Sequence, residues 1–209
     1  MRWEQVDERS STWERDDARY RLTVYDGPHG TTTTTDVLDA SIEQALEAAR
    51  TLSRDDALLW SLALVSHDDR GAEGLVWLSG MDYHELPRTR QQWRRRAEMQ
   101  DRLLRARTRT GQPPVLPDGR RVIRMFVDWG ARWPLWETHG EPNMPTPSDL
   151  GLSAALGDAL HAWSETWQDR PWDAALPDEA AWIAEGGRLH AALQQELVGI
   201  AEVRREFGP

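Results

Sequence analysis

The sequence predicts an α+β fold in which a mainly antiparallel sheet carries helices on one face and a helical extension follows at the C-terminus. Strand-like and helix-like patterns follow one another in the order β-β-α-β-β-α-β. Short connections between consecutive strands favour hairpins, and hairpins join antiparallel strands. We therefore expect a sheet domain over residues 1–128 and a Trp-rich helical subdomain over residues 129–209 packed on it.

A hairpin and a helix are predicted in the first quarter of the chain. Residues 19–26 alternate apolar and polar side chains, which indicates a strand. The turn that follows contains Gly27, Pro28 and Gly30, and the β-branched run 31–36 provides the second strand. Next comes a helix with one apolar face, and its N-cap is Asp39 or Ser41.

The apolar run over residues 57–66 is the expected centre of the sheet. A strand that is apolar almost throughout has no face suited to water, so we expect it to be the most buried strand. We expect it to pair antiparallel with residues 74–79. A long helix over 88–109 follows, and residues 120–128 return to a strand.

Two amphipathic helices are predicted near the C-terminus. The first follows the N-cap Ser153, and its apolar stripe is expected to be core: Leu156, Leu160, Trp163 and Trp167. The second begins near Asp178, and Gly186 and Gly187 interrupt it. Its stripe continues almost to the end of the chain through Trp182, Leu189, Leu193, Leu197, Ile200, Val203 and Phe207.

The composition excludes several classes of function. The net charge is −10, which argues against nucleic acid or an anionic membrane as a partner of the whole surface. Cysteine is absent, so disulfides and thiolate metal sites are excluded. Residues 1–17 lack the apolar core of a secretory signal, and no stretch has the length of a membrane span. We expect a cytoplasmic protein without a cofactor or a metal.

The charge is distributed unevenly along the chain. The helix over 88–109 holds nine arginines, whereas residues 137–185 hold ten acidic residues and one arginine. Three interpretations remain open. The Arg-rich helix docks on the acidic segment or is simply solvated, it contacts phosphate or RNA, or it binds an acidic protein.

The helical wheel of this segment assigns an inner and an outer face. Trp93, Ala97 and Leu104 are expected to face the sheet, which places Arg94, Arg95 and Glu98 on the outer surface. If the helix carries a ligand surface, its arginines are expected to be joined by Arg120, Arg121 or Arg124 of the following strand. The candidate binding residues are Arg94, Arg95 and Arg124.

The loop over residues 79–87 contains the strongest candidates for catalysis. It follows a predicted strand and holds Asp82, Tyr83, His84 and Glu85 in succession. Asp82 and His84 are suited to act as an acid/base pair or as metal ligands, with Glu85 beside them. Neighbouring residues of an extended loop point to different sides, however. A turn in which Asp82 caps the local backbone is the interpretation we favour.

Tryptophan is concentrated in the second half of the chain. Trp133 and Trp136 lie within the segment DWGARWPLWE at residues 128–137, where Pro134 restricts the backbone. They are candidate binding residues, because clustered indoles form platforms for sugars, Pro-rich peptides or bases. The favoured interpretation is that they cover the core formed by the helix of Trp163 and Trp167.

These observations favour a non-catalytic bacterial protein that binds another protein, of a regulatory, partner-binding or toxin-neutralising type. All basic residues are arginine, which is typical of a GC-rich bacterial genome. The sequence contains no Gly-rich phosphate-binding loop and no nucleophile motif. The first alternative is an enzyme or small-ligand binder that uses the loop Asp82-Tyr83-His84-Glu85. The more distant alternative is an RNA-associated factor that uses the helix over 88–109.

Overall fold

The structure is a computed structural model that describes residues 3–11, 16–27 and 31–208. Its helices, after a 3-10 turn at Glu8–Ser10, are α1 (Ile42–Leu52), α2 (Arg90–Arg109), α3 (Ala154–Gln168) and α4 (Glu179–Glu196). Its strands are β1 (Arg19–Asp26), β2 (Thr31–Leu38), β3 (Leu59–His67), β4 (Glu73–Ser79), β5 (Arg121–Met125), β6 (Leu135–Trp136) and β7 (Ala201–Arg205). The expected turn residues Pro28 and Gly30 lie outside the described residues, as do 1, 2 and 12–15 of the N-terminal segment.

The predicted α+β class and its element order are confirmed. β1 to β4 form one sheet in the order β2-β1-β3-β4, in which β3 pairs antiparallel with both β1 and β4. The predicted antiparallel pairing of β3 with β4 is confirmed. Leu59 to Ala63 of β3 are all buried, whereas the end of the strand is half-buried or exposed. Among the described helices, none is long and apolar enough to cross a membrane.

The chain divides into two compact units within α2. The first comprises the residues up to Tyr25 with Thr32–Arg96, and the second comprises Asp26–Thr31 with the chain from Ala97 onward. The boundary therefore differs from the one expected after residue 128. The physical reason is that β5 belongs to a second sheet, with strand order β6-β5-β7, and not to the sheet of β1 to β4.

Helix α1 packs on one face of the first sheet. Alternate residues of β1 and β3 supply a buried apolar layer that includes Leu22, Trp60 and Leu62. The helix contributes only methyl groups at the centre of this contact, Ala45 and Ala49, which allows a close approach. Its N-terminus has the predicted cap in the form of a capping box, in which Ser41 and Gln44 bond reciprocally. The apolar periodicity thus determined both the strand faces and the helix face.

Four charged residues link three strands on the opposite face of this sheet. Arg19 and Arg21 of β1 both bond Asp36 of β2, and both reach Glu73 of β4 at 2.9 Å. The hydrogen bonds from Arg21 and Arg19 hold the pKa of Asp36 at about 2 and lower the pKa of Glu73. Both edge strands are therefore tied by charge to β1.

In the second sheet, β5 pairs antiparallel with β6 and parallel with β7. The sequence predicted that residues up to Phe207 continue the last helix, and this was wrong. Helix α4 ends at Glu196, and Gly199, with φ of +76°, redirects the chain into β7. Ile200 is exposed, while Ala201 and Val203 enter the core at strand spacing. The spacing of these apolar residues fits both a helix and a strand, and the turn at Gly199 ends the helix.

The core of the second unit lies where α3 and α4 cover this sheet. Its centre is a stacked pair of indoles, Trp163 and Trp182, whose ring centroids are 4.3 Å apart. Each indole N–H donates to the backbone carbonyl of the other residue, at 2.9 and 3.2 Å. Phe207 contacts both rings edge-on. Trp163 is buried as predicted, whereas Trp167 is only half-buried.

The two glycines of α4 offer a matched test of this packing. A Cβ at Gly186 would lie 2.6 Å from the Trp163 ring and 2.5 Å from Phe207, whereas at Gly187 the nearest atom is 3.9 Å away. Gly186→Ala should therefore lower the free energy of unfolding by about 1–3 kcal/mol through overpacking. Gly187→Ala should raise it by up to about 1 kcal/mol, since alanine favours the helix. Urea unfolding measures both, and equal effects would contradict the packing.

The ion-pair network predicts a pH dependence of stability. Because the pKa of Asp36 is about 2 in the folded chain, below its usual value, its contribution is complete above about pH 4 and is lost between pH 4 and 2. Asp36→Asn should lower stability by about 1 kcal/mol at pH 7 and leave it unchanged near pH 2. Thermal unfolding across this range measures the effect, with the exposed Asp69→Asn as control. A constant difference at all pH values would contradict the network.

Candidate interaction surfaces

The buried side of α2 agrees only in part with the one that the sequence predicted. Trp93, expected to face inward, is 40% exposed, although Leu104 is buried as expected. The buried positions of the helix are Arg96, Met99, Gln100, Leu103, Leu104 and Ala106. Arg96 tolerates burial because its guanidinium donates to the Tyr83 carbonyl at 2.8 Å and stacks 3.9 Å from the Tyr83 ring. The prediction failed because an aromatic was assumed to be inside and an arginine outside.

The candidate binding residues of α2 lie in different environments. Arg94 and Glu98 are exposed, as expected for the outer surface. Arg95, predicted to be exposed with them, is half-buried, because its Nη2 donates to the Trp77 carbonyl at 2.9 Å. The side chain of Arg95 thus tethers the helix to the strand β4.

Arg124, the third candidate, is engaged within the second unit. Its guanidinium bonds the carboxylate of Glu206 at 2.6–3.0 Å and donates to Thr138 Oγ1 at 3.0 Å. These bonds with Glu206 raise the pKa of Arg124 above its ordinary value. It also stacks 4.9 Å from the Phe126 ring. Arg124 is therefore bound to a carboxylate of its own chain.

Sequence reasoning missed a buried polar network between α2 and β7. The amide of Gln100 donates to Glu202 and accepts from Arg204, both at 2.8 Å. Arg204 also bonds Asp101 at 2.7 Å and the Ala97 carbonyl at 3.2 Å. Gln100, Glu202 and Arg204 are all buried. The alternation Ala-Glu-Val-Arg over 201–204 was the available signal, since it places two charges on one strand face.

A narrow crevice lies beside this network. It is lined by Asp101, Leu104, Pro114, Val122, Arg124, Glu137, Thr138, His139 and Arg204. Its charged groups bond one another or near neighbours, since Arg121 pairs with the buried Glu137 and Arg204 pairs with Asp101. Burial lowers the pKa of His139, which favours the neutral ring at pH 7. The crevice therefore follows from the packing of internal ion pairs.

The loop over residues 79–87 is anchored by Tyr25. The Tyr25 hydroxyl accepts the backbone N–H of Tyr83 at 3.1 Å and donates to the Met81 carbonyl at 3.3 Å. Asp82 Oδ1 accepts the backbone N–H of His84 at 3.0 Å, in the manner of a turn cap. His84 and Glu85 are exposed. In the described ranges, no three His, Asp, Glu or Cys side chains are placed to hold a metal ion.

Trp133 and Trp136 are both half-buried and both fixed by their indole N–H groups. Trp133 donates to the Gly157 carbonyl at 3.2 Å, at the start of α3. Trp136 donates to the Phe126 carbonyl at 3.0 Å and stacks on the Phe126 ring, with centroids 4.8 Å apart. These contacts resemble a cover on the second unit more than an open platform.

The most exposed aromatic group of the second unit lies at the end of α3. Trp129 is 48% exposed and packs on Trp167, with ring centroids 4.7 Å apart. The guanidinium of Arg170 lies 4.5 Å from the ring centroid of Trp167 and 5.4 Å from that of Trp129. Trp172 follows in the α3–α4 connection and is 83% exposed. The sequence predicted Trp167 as part of the core, and it indicated none of these three tryptophans as a binding residue.

The buried amide of Gln100 predicts a large loss of stability on its removal. Gln100→Ala would remove the donor to Glu202 Oε1 and the acceptor of the Arg204 Nε–H inside the protein. We expect the free energy of unfolding to fall by about 2–4 kcal/mol. Gln195→Ala, at an exposed position of α4, should change it by less than about 0.5 kcal/mol. Chemical unfolding compares the two variants, and similar values would contradict the role of the amide.

One family of known proteins resembles part of this chain. Residues 121–204 match the model of a family described as Serratia CdiI immunity protein-like. The matched segment begins with β5, ends within β7 and includes β6, α3 and α4, which is less than half of the 209 residues. No curated protein and no solved structure matches the chain. Over most of its second unit, the chain is therefore similar to an immunity protein family.

Proposed function

We propose that this chain is a toxin-neutralising protein that acts by binding a toxin domain. The observation that carries the proposal is the match of residues 121–204 to an immunity protein family. The matched segment lies within the second unit, and it contains β5, β6, α3, α4 and nearly all of β7. An immunity function requires a protein partner, which agrees with the interaction protein that the composition favours.

The construction of the second unit supports a function by binding. Its helices are fixed by the reciprocal bonds of Trp163 and Trp182, and β7 is fixed to α2 by Gln100 and Arg204. A surface mounted on such a core loses little conformational entropy when it binds, so more of the contact energy appears as affinity. The chain acts, under this proposal, in the bacterial cytoplasm, where the absence of cysteine is no disadvantage.

Catalysis receives less support than binding. In the loop over 79–87, Asp82 serves as a backbone acceptor for His84, and Tyr83 is held by Tyr25. These hydrogen bonds stabilise a turn. They do not join the side chains of Asp82 and His84, which would form the acid/base pair. RNA binding through α2 has less support as well. Two of its arginines, Arg95 and Arg96, donate to backbone carbonyls of the chain itself.

Growth rescue tests the proposal. Candidate toxin domains from the chain's own genome are expressed one at a time in a host that lacks this chain, with and without its co-expression. We expect co-expression to restore growth against one of them, because tight binding removes the free toxin. The restored cells should yield a complex of fixed stoichiometry by size-exclusion chromatography with light scattering.

The other toxin domains in the panel are the controls. Rescue limited to one of them excludes a general effect on expression or growth. Failure to rescue against every domain would overturn the proposal. Rescue without a complex that can be isolated would also overturn it, because the mechanism proposed is binding.

A further inference from the structure

The end of α3 and the connection to α4 form an exposed aromatic surface with an acidic margin, which we call the α3-end surface. Its aromatic residues are Trp129 and Trp167, which pack on each other, and Trp172, which follows in the connection. Its margin consists of exposed carboxylates on the last turn of α3, in the connection and at the start of α4. They belong to Glu165, Asp169, Asp173, Asp178 and Glu179. Arg170 is the basic residue within this stretch of sequence.

The electrostatics at the end of α3 are unfavourable for the isolated chain. The C-terminal end of a helix carries partial negative charge and favours cations. The last turn of α3 contains no basic residue, Glu165 lies in it, and Asp169 is the C-cap. By contrast, α4 begins with Asp178 and Glu179, where acidic residues are favourable. The carboxylates of Glu165 and Asp169 therefore add to the negative potential of the helix end.

The aromatic centre is held in place before any partner arrives. The side chain of Gln168 accepts the backbone N–H of Gly130 at 3.0 Å and donates to the Ala131 carbonyl at 2.7 Å. These bonds fix the segment of Trp129 against α3. Arg170 donates to the Ala174 carbonyl at 2.8 Å, which folds the connection back on itself. The exposed indoles are thus mounted on backbone that is already ordered.

Trp172 is the most exposed indole of this surface, with 83% of its area open to solvent. An indole is costly to leave in water and contributes strongly when a partner covers it. Tryptophan at the centre of an interface, surrounded by a polar margin, is the arrangement found at binding hot spots. The α3-end surface has this composition, with carboxylates in the margin.

We propose that the α3-end surface binds a positively charged segment of the partner, with Trp172 as its aromatic anchor. Arginine and lysine side chains of the partner stack on the exposed indoles and pair with the carboxylates of Glu165 and Asp169. Binding of these cations offsets the negative potential of the helix end and its two carboxylates, beside which the free chain has the guanidinium of Arg170. The identity of the partner as a toxin domain rests on the proposed function.

A double variant with a matched control tests this surface. Asp169→Arg with Trp172→Ala removes the anchor and reverses one charge of the margin. The arginine also suits the helix end, so stability should be kept or slightly increased. The control is Asp158→Arg with Trp3→Ala, which makes the same chemical changes at exposed positions elsewhere. Melting temperatures of both variants are compared with that of the wild type.

The partner in the test is the toxin domain that the growth assay identifies, separated from its complex in denaturant and refolded. Calorimetric titration should show affinity about 100-fold weaker for the double variant and unchanged for the control. Stopped-flow association should slow as salt rises for the wild type, and less steeply for the double variant. Each single substitution separates the aromatic from the electrostatic contribution.

The outcomes separate the two proposals. If the wild type neutralises a toxin domain and the double variant binds it within about threefold of the wild-type affinity, the surface is wrong and the proposed function stands. Equal losses in the double variant and the control would overturn the surface too, since they indicate a general charge effect. If the wild type neutralises and binds no domain, the proposed function fails, and the surface proposal fails with it.

Discussion

The reciprocal contact of Trp163 and Trp182 is the interaction on which the second unit depends. Two stacked indoles in an apolar core would each leave a buried N–H without a partner, at a cost of about 1–3 kcal/mol apiece. Here each N–H donates to the other residue's carbonyl, so stacking and hydrogen bonding are satisfied by one arrangement. The pair joins α3 to α4 at a fixed separation. Gly186 permits this because a methyl group there would overlap Trp163 and Phe207.

The position of α3 then determines what the unit presents to solvent. Trp163 lies on the inner side of the helix, and one turn later Trp167 reaches the margin, where it packs with Trp129. Gln168 binds the backbone at Gly130 and Ala131, and Arg170 holds the connection to α4. The buried contact of Trp163 and the partly exposed indole of Trp167 are therefore about one turn apart on the same helix. Core packing and the candidate binding surface share a single helix.

Sequence periodicity predicted the first unit well for a physical reason. Residues 19–26 alternate apolar and polar side chains, and the sheet buries the face that this pattern selects. Residues 57–66 are apolar almost throughout, and they form the interior strand β3. The C-terminus resisted prediction because Leu197, Ile200 and Val203 fit a helix, while Ala201 and Val203 fit a strand. Only the glycine at 199 marks the change, and its left-handed backbone is not visible in hydrophobicity. The two-residue strand β6 is too short to carry any period.

The side chains of α2 and β7 resisted prediction for another reason. Amphipathic patterns assume that charge lies outside, but Arg96 and Arg204 are buried and bonded to carbonyls, an amide and a carboxylate. Whether such partners exist depends on tertiary neighbours more than a hundred positions away, as for Gln100 and Arg204. The candidate binding surface could not be predicted for the same reason. Trp172 is exposed and Trp163 is buried, although both lie in the Trp-rich second half of the chain.

Internal use of arginine explains why an acidic surface develops at one end of the second unit. Arg121, Arg124 and Arg204 are engaged with Glu137, Glu206 and Asp101, so their charges neutralise carboxylates near the second sheet. The carboxylates of the α3–α4 connection lie in a stretch where Arg170 is directed toward backbone carbonyls and indoles. The net charge of −10 is therefore distributed unevenly over the protein. A partner guided by long-range attraction would meet this end with its own positive charge foremost.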